Sequence, residues 1–128
     1  MDYINNYNGV ILIVDLETGE TTTEDLELET VEKFLGGAAL NMDLYQKYAD
    51  RDPVVLGTGF FTATFVPAAC LGVATIKSPL HQGISHVPLT WQIGVELKLT
   101  GFDFVVILGK AEKPSRIWLH DGLADVED

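Results

Sequence analysis

"FDFVVILGK", residues 102–110, is the stretch whose reading decides the fold. Its apolar run is unbroken from Phe104 to Leu108, which marks a buried strand rather than a half-solvated one. Upstream, "LTWQIGVELKLTG" (residues 89–101) reads as a short helix. Ile93 and Leu97 fall on one face of it, and Gly101 stands where a C-cap would. Downstream, "SRIWLHDGLADVED" (residues 115–128) reads as a hairpin turning at Asp121-Gly122. The chain opens in a similar way. Residues 10–14 form a β-prone run, Gly19 supplies a turn, and "TTTEDL" returns as a second strand. Residues 15–29 are polar enough to lie at the edge of a sheet.

Between the hairpins, "ETVEKFLGGAALNMDLYQKYAD" (residues 29–50) predicts helix, with Thr30 as N-cap and acids in the first turn. Gly36-Gly37 implies either a break into two helices or a close approach by another part of the backbone. Asp52-Pro53 ends the segment. Residues 54–56 and 71–76 read as short strands. "SPLHQG" reads as a turn, followed by a loop through His81, His86 and Trp91. The resulting order, ββ-α-ββ-α-βββ, predicts an α+β fold: one β-rich domain over residues 1–128 with two short helical segments.

Composition limits the function. The chain has 128 residues and a net charge of −11, unevenly spread. Residues 1–35 hold nine acids and one lysine, while residues 53–118 hold three acids and five bases. So acidic a chain, with no long basic patch, is a poor nucleic-acid binder. No apolar stretch reaches the roughly 18 residues of a membrane span. "MDYINNYNG" lacks the regions of a signal peptide, so a soluble cytoplasmic protein is the expectation. The single cysteine, Cys70 in "PAACLGVA", reads as a buried small hydrophobe.

Catalytic motifs are absent. Gly57 and Gly59 lack the Lys-Ser/Thr of a phosphate loop. His81, His86 and Glu96 meet at a metal only if the loop folds back, and their spacing is no recognised ligand pattern. Solvated histidines are the plainer reading, and His120 is expected to be exposed beside its turn.

Four stretches in order carry a resemblance: "YNGVILIVDLETGET", "VEKFLGGAALN", "LGTGFFTATFVPAACLGVATIKSPL" and "GVELKLTGFDFVVILGKAEKPSRIWLHDG". Together they resemble the N-terminal domain of the tungsten-containing aldehyde ferredoxin oxidoreductases. "ELKLTGFDFVVILGKAEKP" is the most specific part, and "KSPL" before a glycine-containing turn adds to it. The resemblance implies a β-rich base that holds a bis-pterin tungsten, or sometimes molybdenum, cofactor against later helical domains. Those domains supply a [4Fe-4S] cluster and most of the substrate pocket for oxidising an aldehyde to a carboxylate. The family's base domain is longer and built as two related halves, and this chain is similar to its first half.

The chain departs from that pattern where the cofactor would be held. Leu71 stands where the family places an arginine after paired glycines. Pro88-Leu89-Thr90-Trp91 stands in place of an Asn-Ser-Gly-Gly segment, and Ala38-Ala39 in place of Arg-Gly. Arginine and asparagine give a pterin phosphate charge and fixed donors. Leucine offers neither, and proline lacks even its backbone donor. The expectation is a retained fold with a lost or altered site, and no cofactor or catalytic residue in the chain alone. Such a chain would act as a subunit, scaffold or assembly partner, docked on an oxidoreductase subunit or on a second copy of itself as a homodimer. The alternative is a cofactor-binding component of a split enzyme, with tungsten bis-pterin bound jointly with a partner. In that case Gly57, Thr58, Gly59, Ser85, His86, Pro88, Thr90, Trp91 and Gly94 would face the cofactor.

Overall fold

A computed structural model describes residues 6–127. The strand read from "FDFVVILGK" is β6 (Phe104–Leu108), and it lies inside a six-stranded sheet ordered β2-β1-β6-β3-β4-β5. β1 (Val10–Asp15) runs parallel to β6, and every other pairing in the sheet is antiparallel. β2 (Glu20–Asp25) forms one edge, as its polar sequence requires, and returns from β1 through a turn. That turn is closed by Gly19 N–H donating to the Asp15 carbonyl at 2.8 Å. β3 (Val54–Thr58) and β4 (Gly72–Lys77) continue the sheet away from β6.

Both faces of the sheet are covered near its centre, which is why β6 can be apolar throughout. On one face Ile11, Ile13, Val55, Phe104, Val106 and Leu108 pack against Val31 of α1 (Leu28–Phe34) and Leu40, Leu44 and Tyr45 of α2 (Gly37–Lys47). On the other, Leu12, Val14 and Val105 meet Leu97 of α3 (Ile93–Leu99). The inner residues of the hairpin β7 (Arg116–His120) and β8 (Leu123–Glu127), Ile117, Leu119, Ala124 and Val126, pack there too. The fold is α+β, as the pattern of elements predicts. No described helix is long and apolar enough to cross a membrane.

Several expectations need correcting. The loop through His86 contains a strand, β5 (Ile84–Leu89), at the open edge beyond β4. Pro88 is tolerated there because an edge strand can turn one side to solvent. The helical segments number three among the described residues, since Gly36-Gly37 does break the first, and a 3-10 turn, Ala49–Arg51, follows α2. Gly36 answers the close-approach expectation as well. It sits at φ +155°, and a Cβ there would run into the Tyr7 hydroxyl. Thr30 is not an N-cap: α1 begins two residues earlier, behind Glu27, with no side-chain cap. On α3 the buried positions are Gly94, Leu97 and Lys98, while Ile93 is half exposed. Leu71 precedes β4 and is exposed, and Cys70 is only partly buried. His120 is not free beside its turn. Its ring stacks on Trp118 at 4.1 Å, and its Nε2 lies 3.1 Å from Asp125 Oδ2.

Candidate functional site

Three of the motif glycines, Gly36, Gly37 and Gly59, line one cleft of about 280 Å³. Leu35, Gly36 and Gly37 line it at the start of α2; Gly59, Phe60, Phe61 and Thr62 line it after β3; Ala68, Ala69 and Leu71 line it before β4. Its back wall is tied by a buried cation. Lys98 Nζ donates to the carbonyls of Gly59 at 3.1 Å and Thr62 at 3.0 Å, with Phe60 at 3.5 Å, and lies 4.4 Å from the Tyr7 ring centroid. Tyr7 in turn donates its hydroxyl to the Leu35 carbonyl at 2.9 Å and meets Phe60 edge-on. Burial pushes the Lys98 ammonium below its ordinary pKa, opposed by the nearby Asp103 charge. Burial also pushes the Tyr7 phenol well above its ordinary value, with Asp103 adding to the effect.

Asp103 anchors the chain behind this wall. Its carboxylate is fully buried and accepts from the amides of Asn8, Gly9 and Val10 at 2.9, 2.7 and 3.2 Å. Desolvation raises its pKa against the pull of those amides and of Lys98. Its carbonyl accepts the Thr58 hydroxyl at 3.1 Å. The "ELKLTGFDF" stretch therefore supplies both the cation that holds the cleft loop and the anion that pins residues 8–10 to the sheet.

Of the residues expected to face a cofactor, only Gly59 lines the cleft. Gly57 is buried under α2, where a Cβ would meet Asn41 Oδ1 and, at 2.7 Å, the Phe104 ring. Thr58 is buried and hydrogen-bonded to Asp103. Gly94 allows α3 to touch the backbone before β4: a Cβ there would lie 2.5 Å from the Leu71 carbonyl carbon. Their smallness or polarity is used inside the fold. Ser85, His86 and Pro88 lie on the edge strand β5, and Thr90 and Trp91 are exposed beyond it. A Cβ on Gly72 would lie 3.4 Å from Gly94 Cα and 3.5 Å from Leu89 Cδ1, so the Leu71 and Pro88–Trp91 departures share one corner of the molecule.

The histidines do not gather. His86 Nδ1 lies 2.8 Å from Thr75 Oγ1, itself bonded to Asn41 Nδ2, whereas His81 Nε2 lies 3.2 Å from Ser85 Oγ. No group of three or more His, Cys, Asp or Glu that could hold a metal forms among the described residues. Asn41 escaped sequence reading although it is fully buried. Its Nδ2 also donates to the Val55 and Val73 carbonyls, joining α2 to β3 and β4, with partners too distant in sequence to leave a spacing signal.

A pterin phosphate calls for cationic or fixed donor side chains. The cleft wall carries no charged side chain. Its one hydroxyl, that of Thr62, already accepts from Gly59 N–H at 2.8 Å and donates to the Leu71 carbonyl at 3.3 Å. The volume also falls just short of the roughly 300–1,000 Å³ of sites for drug-sized ligands. The residues of this chain do not by themselves fit a tungsten bis-pterin.

Comparison with known proteins agrees with the fold. The family model described as aldehyde ferredoxin oxidoreductase, N-terminal domain, matches residues 11–128. The tungsten-containing aldehyde ferredoxin oxidoreductase of Pyrococcus furiosus is 32% identical over 128 residues, covering 94% of this chain and 21% of that protein. The aliphatic sulfonate oxidoreductase, WOR-like subunit, of the same organism is 29% identical over 133 residues, covering 95% and 21%. Among solved structures, the active site complex BamBC of benzoyl coenzyme A reductase, in complex with 1,5 dienoyl-CoA, superposes with a TM-score of 0.89 at 19% identity. That match covers 96% of this chain and 20% of the other, and it speaks to fold alone. The chain thus spans about a fifth of the length of the curated relatives it matches. With the model matched over nearly all its residues, this chain belongs to the aldehyde ferredoxin oxidoreductase N-terminal domain family.

Proposed function

We propose that this chain is a non-catalytic scaffold within an oxidoreductase assembly, contributing the family's base fold as a docking surface rather than as a cofactor grip. One observation carries this reading. The cleft where the family motifs meet has no charged side chain, and its single hydroxyl is spent on the loop itself. An uncharged wall gives a phosphate no opposite charge to offset its lost hydration.

A second reading rests on a different feature. α2 starts at the cleft wall behind Gly36, with no side-chain cap. An uncapped first turn offers backbone donors to an anion. A partner that supplied the missing cationic groups would then complete a shared tungsten-pterin site, as in a split enzyme.

Aldehyde-dependent reduction of a viologen dye tests the scaffold reading. The purified chain is expected to show none after incubation with tungstopterin released from a relative. Reduction by the chain alone would overturn the reading.

A further inference from the structure

We propose that the apolar rim of the cleft is the surface by which this chain docks onto a larger oxidoreductase polypeptide, one equivalent to the part of the relatives that this chain does not span. The proposal rests on the scaffold reading and names its partner and its contact face.

The rim starts from the cleft wall. Leu35, Phe61 and Leu71 are each about half exposed and share the cleft wall. Gly94 packs on the Leu71–Gly72 backbone, which brings the half-exposed Ile93 alongside. Phe65, in the loop between Phe61 and Leu71, is fully exposed, and Trp91 is 85% exposed. Neither side chain contributes to the described core. Taking ~150–250 Å² for each fully buried aromatic, Phe61, Phe65 and Trp91 alone offer on the order of 450 Å². That is over half of the roughly 800 Å² per partner in a standard interface. Exposed apolar surface of this extent is what interaction sites present.

Charge selects the partner. Residues 53–95 hold one formal charge, Lys77, in a chain of net charge −11. Depletion of charge is the compositional mark of an interface core. A second copy would bring two strongly acidic chains together and work against that attraction. Length points the same way. In the relatives this unit makes up 21% of the protein, so it is carried with nearly four times its own length of further polypeptide. The β7–β8 hairpin also exposes an aromatic, Trp118, but Trp118 is stacked on His120 and neighbours Arg116 and Asp125. It serves as a control.

The test places p-benzoylphenylalanine at Phe65, Trp91 or Trp118, one at a time, in the chain expressed in its native host. Irradiation and mass spectrometry then identify what is captured. Positions 65 and 91 are expected to crosslink a tungsten-oxidoreductase-family polypeptide at least tenfold more efficiently than position 118. Phe65→Asp is expected to lower recovery of that polypeptide at least tenfold with Tm unchanged. Capture of a second copy, of an unrelated protein, or of nothing at 65 and 91 overturns the proposal. Capture of the oxidoreductase polypeptide from position 118 alone overturns this surface while leaving the scaffold reading intact. Absence of any such polypeptide at all three positions overturns both.

Discussion

Asp103 and Leu71 flank the same short segment. The carbonyl of Asp103 accepts the Thr58 hydroxyl, and the carbonyl of Leu71 accepts that of Thr62. Their side chains keep opposite company. The Asp103 carboxylate is buried and matched by three backbone amides, whereas the Leu71 side chain stands half exposed on an uncharged rim. The first arrangement is built for stability, because a buried carboxylate without donors would cost several kcal/mol. The second adds little to the fold, so its chemistry is free to change. This chain has the polar groups that hold its backbone and no charged side chain lining the cleft.

The contrast is broken most directly at Asp103. Asp103→Ala leaves the amides of residues 8–10 without their acceptor and should cost about 4 kcal/mol in urea unfolding. A loss below about 1 kcal/mol would mean that the anchor is not structural. Gly57→Ala should cost about 2 kcal/mol, because the added methyl meets Asn41 and the Phe104 ring. A near-neutral Gly57→Ala would mean that internal packing does not require this glycine.

Acid sharpens the comparison from the other edge of the sheet. Arg51, bonded to Asp15 at 2.7 Å, holds the Asp15 carboxyl below its ordinary 3.8. Lys47 and then Tyr48 do the same for Glu24, below 4.5. A lowered acid stabilises the fold above its unfolded pKa and loses that contribution as pH falls through the folded value. Asp103 runs the other way. Burial raises its pKa, so its linkage contribution is present on the acid side and is lost as pH rises. Stability measured from pH 5 to pH 3 should therefore fall less steeply in Arg51→Met than in the parent chain. Equal slopes would remove Asp15 from the account. The smallest effect is expected at the rim, where Leu71→Arg should change stability by less than about 0.5 kcal/mol. A loss near 2 kcal/mol would show the rim to be part of the fold's own packing.

How far the sequence could be read follows from where each partner lies. The apolar run of β6, the Asp121-Gly122 turn and the break at Gly36-Gly37 are local patterns, and they were legible. β5 was not, because "ISHVPL" holds a histidine and a proline that only an edge position accommodates. Thr30 misled because Glu27 and Glu29 both suit a helix start, and the boundary is set by packing of Val31 and Leu26 on the sheet. At the site, the resemblance drew attention to the motif glycines and to Leu71. It could not say that Gly57 and Gly94 are filled from inside by Asn41, Phe104 and the backbone of Leu71. Lys98 was equally hidden. Its acceptors are backbone carbonyls more than thirty residues away, and a carbonyl has no sequence signature.

The most direct test is the metal content of the chain itself, purified anaerobically from its native host and separated from any partner. The account predicts tungsten and molybdenum far below one atom per chain. One atom of either metal per chain, retained through purification, would mean that Leu71 and the uncharged cleft grip a pterin after all, and would contradict the central claim.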